Sequence, residues 1–509
     1  MSIPKKSFKS QAIENSIWNL VSSMINRIGG LIFVIILLRT LKPEGFGTYT
    51  LAMTITLFFV MISDMGVNQT LIRYISHEIN LNKLKAAAQF RYLFKIKIIL
   101  TSILSLSLLI LAYPLSFYIF KNPAIFILLS ILSFYVFFIS IAGFLESLFF
   151  IRKEVKYISL KEVLFQSARI LSALIVAYFI VAEFKLVGLM ILFVLTSILI
   201  FFFVFVFSRK LFPFLFLKTK EVINQKKISR FIFFLNIQNI AIIILMQASI
   251  FFLGIFSDSK HIGFYNSAFV LVSSLSSLMA FTPILLPILT QFKRDRFNEA
   301  VKKIFRILMI VAIPMSFGLF VLAKYFIVLI PGYDYLPATN ALKILAFMLI
   351  PTVGTSLFLT SFSAKNKPKE FAKVLSLSAV ILVVLNYVFI KIFSTFSSDL
   401  VFIGVSIANL ISWFLCFFLS AALLRKEFKI NIFSAWLLKP IFSSMIMSGF
   451  MLLFLSLLKD INIINGLLLV IAGIIVYFVS LILMKGLHTE ELEFFKKINF
   501  FRKIRNSAR

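Results

Sequence analysis

Long apolar runs, each about the length needed to cross a bilayer and separated by short basic loops, leave this 509-residue chain few folds to adopt. Backbone groups in hydrocarbon must be hydrogen-bonded within their own segment, so runs of this kind predict spanning helices. About fourteen segments approach the roughly 20 residues that a span requires. They fall near 16–38, 47–68, 92–115, 123–150, 158–181, 186–207, 230–255, 262–289, 304–327, 338–362, 371–393, 401–424, 436–458 and 464–484. Most of the 52 Lys and Arg residues, in a chain of formal charge +32, lie in alternate loops. Since Lys and Arg stay on the cytoplasmic side of inserted helices, the alternation predicts orientation, with both termini in the cytoplasm. Lys95 and Lys97 are a borderline pair at the start of the third run.

Composition agrees. The chain is 61% hydrophobic and carries 64 Phe, too apolar for a soluble core to be covered by polar surface. The basic charge is scattered through loops rather than gathered on a soluble face, which argues against a nucleic-acid partner. Cys416 is the one cysteine and lies inside an apolar run, so no disulfide framework exists. The first run is too long for a signal-peptide core and lacks a small-residue cleavage site, so no cleavable leader is expected. His77, His261 and His488 are far apart, and no metal-ligand spacing, cofactor site or phosphate-binding Gly-rich loop is apparent. The external loops are too short to carry a catalytic site, and an enzyme is not expected.

No connection is long enough to fold by itself. The expected layout is a cytoplasmic N-terminus (1–15), six helices over 16–207, a basic linker at 208–229, six helices over 230–424, and two further helices over 436–484. The tail 485–509 alternates Phe and Ile with Lys and Arg, as expected of an amphipathic helix on anionic headgroups. Gly47-x-Tyr49-x-x-Ala52 recurs as Gly263-x-Tyr265-x-x-Ala268 at the corresponding turn six helices later. A repeat of that kind suits two six-helix lobes that rock around a central site.

The opening NSIWNLVSSMINRIGGLIFVIILLRTLKPEGFGTYTLA, the SDMGVNQTLIRYIS that follows, and IPGYDYLPATNALKILAFMLIPTVGTSLFLTSFSAKNKPK resemble the polysaccharide-exporter (O-antigen flippase) branch of the multidrug/oligosaccharidyl-lipid/polysaccharide (MOP) transporter superfamily. The resemblance spans most of the first twelve helices. It implies an all-α, MATE-like polytopic bundle in the bacterial cytoplasmic (inner) membrane. It also implies a flippase that moves an isoprenoid-pyrophosphate-linked oligosaccharide between leaflets for surface polysaccharide assembly. Membrane lipids, a polysaccharide polymerase and glycosyltransferases would be its partners. The alternatives are a lipid II flippase and a multidrug exporter of the same fold, the latter calling for acidic cavity residues. In one respect the chain departs from its relatives: Gln247 is followed by Ala248 and Ser249 rather than by a charge.

Charges inside a membrane are costly and tend to face a cavity or a partner. Arg27 falls midway along the first helix and Arg169 midway along the fifth. Asn15, Asn19, Ser22, Asn26 and Gly30 recur at helical spacing with Arg27 on their flank, and Glu162, Gln166 and Arg169 share a face. Guanidinium groups offer paired donors to phosphate oxygens, so both arginines are candidates to cradle a pyrophosphate, with Asn19, Asn26 and Gln166 beside them. The structural alternative pairs Arg169 with Glu162 or Glu146 and makes the Asn/Ser stripe a helix seam. Asn236, Asn239 and Gln247 on the seventh helix are candidates to bond sugar hydroxyls. Glu146, Asp64 and Glu162 are the candidates for ion coupling. The structural partners expected for two of them are Arg152 or Lys153 for Glu146 and Arg73 for Asp64. Gly29–Gly30 and several prolines are candidate bends.

Overall fold

The computed structural model describes residues 8–486 apart from 65, 80, 153, 218, 220, 222, 224, 280–281, 366 and 458–462. The described residues are almost wholly helical, with no strand. In chain order the helices are α1 (Phe8–Asp64), α2 (Val67–Glu78), α3 (Lys83–Pro114), α4 (Ala124–Ile151), α5 (Val155–Phe179) and α6 (Lys185–Leu211). Then come α7 (Gln225–Phe256), α8 (Ser259–Met279), α9 (Thr282–Gln291), α10 (Arg294–Val321), α11 (Ala323–Leu329) and α12 (Ala338–Ala346). The last are α13 (Leu349–Ala364), α14 (Pro368–Phe396), α15 (Val401–Phe428), α16 (Leu438–Leu457) and α17 (Ile463–Leu483). The amphipathic tail expected at 485–509 lies almost entirely outside the described residues.

Eleven helices among the described residues are long and apolar enough to span a membrane, or twelve if the bent pair α12–α13 is one span. The chain is thus a multi-pass membrane protein, and the count of fourteen is not confirmed among the described residues. The first two expected segments run together in α1, whose 57 residues would reach about 85 Å at 1.5 Å each, far beyond a hydrocarbon core. Its axis breaks at Lys42, at φ 57° and ψ 176°. Pro43 causes the break, because a proline drives the preceding residue out of the helical region and cannot donate a backbone hydrogen bond. The expected seventh segment falls on α7, Gln225–Phe256. The tenth is broken into α12 and α13, bent by 45°. Gly29 and Gly30, by contrast, leave α1 helical.

Contacts divide the chain into two units, Met1–Ser267 with Leu375–Asn409, and Ala268–Val374 with Leu410–Arg509. In the first, Phe90, Phe94 and Phe144 stack at 5.5–5.9 Å, joining α3 to α4. In the second, Phe305, Phe358 and Phe417 form a stacked triangle at 5.5–6.2 Å. Gly354 makes room for it, since a Cβ there would strike the Phe417 ring. Aromatic pairs of this kind add about 0.5–1.5 kcal/mol each beyond the area they bury, which explains how Phe serves as the main packing residue. Many of the large apolar side chains that remain exposed lie on the long helices, where acyl chains would cover them.

Both copies of the repeated Gly-x-Tyr motif lie in the first unit, and they abut. A Cβ on Gly47 would run into the Ser259 carbonyl, and one on Gly263 into the Pro43 carbonyl. Asn266 Nδ2 donates to Thr50 Oγ1 at 3.0 Å, each three residues beyond its glycine, and Asn122 Nδ2 donates to Ser259 Oγ at 2.8 Å. Two turns from the two halves of the sequence are thereby clasped backbone to backbone.

Candidate functional site

The polar residues of the first unit gather in three places. The first is the seam between α1 and α5. Gly29 allows the approach: a Cβ there would lie 2.9 Å from that of Gln166. Ser22 and Ser159 join their hydroxyls across it, and Ser159 Oγ also donates to the Trp18 carbonyl at 3.1 Å. Gln166 Nε2 donates to Glu162 Oε1 at 3.0 Å and reaches Asn26 Oδ1 at 3.4 Å. The face turned to α5 therefore carries Ser22, Asn26 and Gly29, whereas Gly30 meets open space. Arg27 is half-buried on the flank of this face. The side chain of Asn19 lies outside the described residues, as do those of Asn15, Asn236 and Asn239.

Arg169 does not pair with Glu162 or Glu146. Its guanidinium lies 4.1 Å from the Phe33 ring centroid, with Phe165 at 5.3 Å and Phe193 at 5.9 Å. Rings of negative face hold a guanidinium by cation–π attraction. Among the described residues no carboxylate comes within 4.0 Å of it. The carboxylates are taken by Lys161, a residue counted from the sequence among the loop charges. Its Nζ stands 3.1 Å from Glu146 Oε1 and 2.9 Å from Glu162 Oε2. Packing of α4 on α5 explains this, for Lys161 starts its second turn facing α4. Glu146 is therefore not bridged to Arg152, whose Nη1 donates to the Leu211 carbonyl at 2.8 Å, and Lys153 lies outside the described residues.

The second place is the break between α1 and α2, closed by Gly66 at φ 73°. Lys97, expected near a borderline turn, is instead 1% exposed. Its Nζ donates to the Ser63 carbonyl at 2.8 Å and lies 3.4 Å from Ser63 Oγ, which donates to Ser140 Oγ at 2.8 Å. Asp64 Oδ1 accepts the Asn68 backbone N–H at 3.2 Å rather than pairing with Arg73, which lines a separate cavity with His77 and Glu78.

The third place is wholly buried. Asn409 Nδ2 donates to Ser249 Oγ at 3.1 Å and to the Tyr265 hydroxyl at 2.6 Å, and Asn386 Nδ2 to Ser249 Oγ at 3.3 Å. Both Asn Oδ1 atoms accept nothing among the described residues. Ser249 stands two residues after Gln247, at the departure from the relatives' charge, and it is this serine that anchors the cluster. Gln247 itself is half-buried. Sequence reasoning missed Asn386 and Asn409, since nothing along the chain ties α14 and α15 to α7. In the second unit, a cavity of about 370 Å³ between α10, α16 and α17 has almost only apolar walls, including Pro314, Met315, Met447 and Ile474.

The family model described as polysaccharide biosynthesis protein matches residues 12–293, more than half of the chain. The chain belongs to that family. Among curated proteins, none matches it. Solved structures of similar fold include the lipid II flippase MurJ in an inward closed conformation, at 17% identity and TM-score 0.70, covering 92% of this chain and 98% of that one. A multidrug-resistance MATE transporter of the MOP superfamily, inward-facing, matches at 15% identity and TM-score 0.62, covering 81% and 99%. A MOP transporter from Pyrococcus furiosus, its pocket described as of reverse polarity, matches at 15% and 0.56, covering 83% and 96%. This polysaccharide biosynthesis protein thus has the MOP fold.

Proposed function

We propose that the protein flips an isoprenoid-pyrophosphate-linked oligosaccharide across the bacterial cytoplasmic membrane for surface polysaccharide assembly, by alternating access, with both termini in the cytoplasm. The observation that carries this reading is Arg169: a guanidinium inside a spanning helix, stacked on aromatic rings, while the nearby carboxylates belong to Lys161. Such a charge is available to an anion, and paired donors at fixed geometry suit phosphate oxygens. Arg27, half-buried on α1, is the second donor we assign to the pyrophosphate, with Asn26 and Gln166 in support. The isoprenoid tail stays in lipid. A polymerase and glycosyltransferases would act on either side of the step.

Complementation of a flippase-null strain tests this. Arg27→Ala and Arg169→Ala are each expected to cut surface polysaccharide about tenfold or more, the loss of one charge-assisted bond, at normal protein level. Arg→Lys is expected to rescue only in part, because a point charge cannot replace the paired fork. Full function in all four variants overturns the pyrophosphate assignment. A second reading, lipid II flippase, is favoured by the 92% coverage on MurJ against 81–83% on the other two structures. It is separated by complementing a strain that lacks its lipid II flippase.

A further inference from the structure

We propose that the cavity at the α1–α2 break is a saccharide subsite, which receives a neutral sugar of the transported head group; this rests on the transport reading above. The cavity measures about 280 Å³ and is lined by Asp64, Asn68, Gln69, Lys97, Ser140 and Gly143, with apolar residues of α1, α4 and α7. That is close to the lower end of the range for small-molecule sites, about 300–1,000 Å³, and suits one sugar ring.

The wall chemistry selects the ligand. Lys97 is committed to the Ser63 carbonyl, so its ammonium fixes the end of α1 and stays in place. Asp64 supplies the opposite charge close by, with no ion-pair partner within 4.0 Å among the described residues. An added cation would meet the ammonium, an added anion would meet the carboxylate, and a hydrocarbon would strip both of polar neighbours. A neutral polyol does none of these. It offers hydroxyl donors to the Asp64 carboxylate, beside which Asn68 lines the same wall. Gln69 adds an amide at the rim, and Gly143 keeps the floor clear, since even a Cβ there would lie 3.9 Å from Asn68 Nδ2. On the proposed orientation the α1–α2 break lies at the cytoplasmic end of its span.

The test uses the full chain in nanodiscs and two probes, an isoprenyl pyrophosphate and the same lipid bearing one N-acetylglucosamine. Asp64→Asn, Asn68→Leu and Gly143→Leu are expected to weaken binding of the sugar-bearing probe about tenfold and leave the bare pyrophosphate unchanged. Gly143→Ala, whose Cβ makes only an ordinary contact, is expected to change neither. Asp64→Asn keeps the side-chain shape and reads the subsite should the bulkier variants fail to fold. Equal binding of both probes by the wild-type protein, or variants that weaken the two probes alike, overturns the subsite. Binding of neither probe by the wild-type protein sinks the transport reading, and the subsite with it.

Discussion

Lys161 holds two carboxylates that come from different helices, and little else can do so. Replacing it by Met leaves Glu146 and Glu162 facing each other in a confined space. Breaking a buried ion pair in that way costs about 3–5 kcal/mol. Lys161→Met is therefore expected to lower the thermal midpoint of the detergent-solubilised protein and its yield, and Glu146→Gln with Glu162→Gln in the same chain is expected to restore much of the loss. No recovery in the triple variant would show that Lys161 acts through packing. The residue shows what is legible at this scale. The stripe Ser22–Asn26 and the pair Glu162–Gln166 could be placed on common faces from spacing alone, because a helix has one period. The partner of each charge could not. Lys161 reads in sequence as one more charge of the basic stretch that begins at Arg152, and only the approach of α4 makes it a central counter-ion. Lys97 was misplaced for the same reason, and the partner of Arg169 is a set of rings that charge pairing never suggests.

At the scale of the element, turns proved harder to read than spans. The run Leu41–Gly47 looks like a loop because it contains Pro43 and Gly45, yet only Lys42 leaves helical geometry. The clasp that follows it had a sequence signal, the repeated Gly-x-Tyr, but the signal said nothing about the two copies touching. Their contact yields a further expectation. Thr50 and Asn266 bond at 3.0 Å, so Thr50→Cys with Asn266→Cys can be joined by a short bifunctional thiol reagent. Both positions are buried, as is the native Cys416, so the reagent is added to the reduced, detergent-solubilised protein in a Cys416→Ser background. If the clasp opens during each cycle, the cross-link is expected to stop transport in proteoliposomes and its reductive cleavage to restore it. Undiminished transport by the cross-linked protein would show that these turns stay shut throughout.

For the molecule as a whole, apolar length was the dependable guide. It gave a multi-pass, all-helical chain, because hydrocarbon permits little else. It did not show that the first two segments follow each other through a kink at Lys42 with no loop between them, nor that the tenth is bent between α12 and α13, since helix continuity leaves no mark in hydropathy. Orientation rests on charge alone and is open to direct test. In intact spheroplasts a membrane-impermeant maleimide is expected to label Lys260→Cys and to spare Thr219→Cys until the membrane is opened. The reverse pattern would turn the protein over. The paired glycines carry a last implication. A duplicated motif that seats against its own copy behaves as a dimer contact folded into one polypeptide. Drift at either turn has to be answered at the other, so the two halves of the gene are bound to evolve in step at that point.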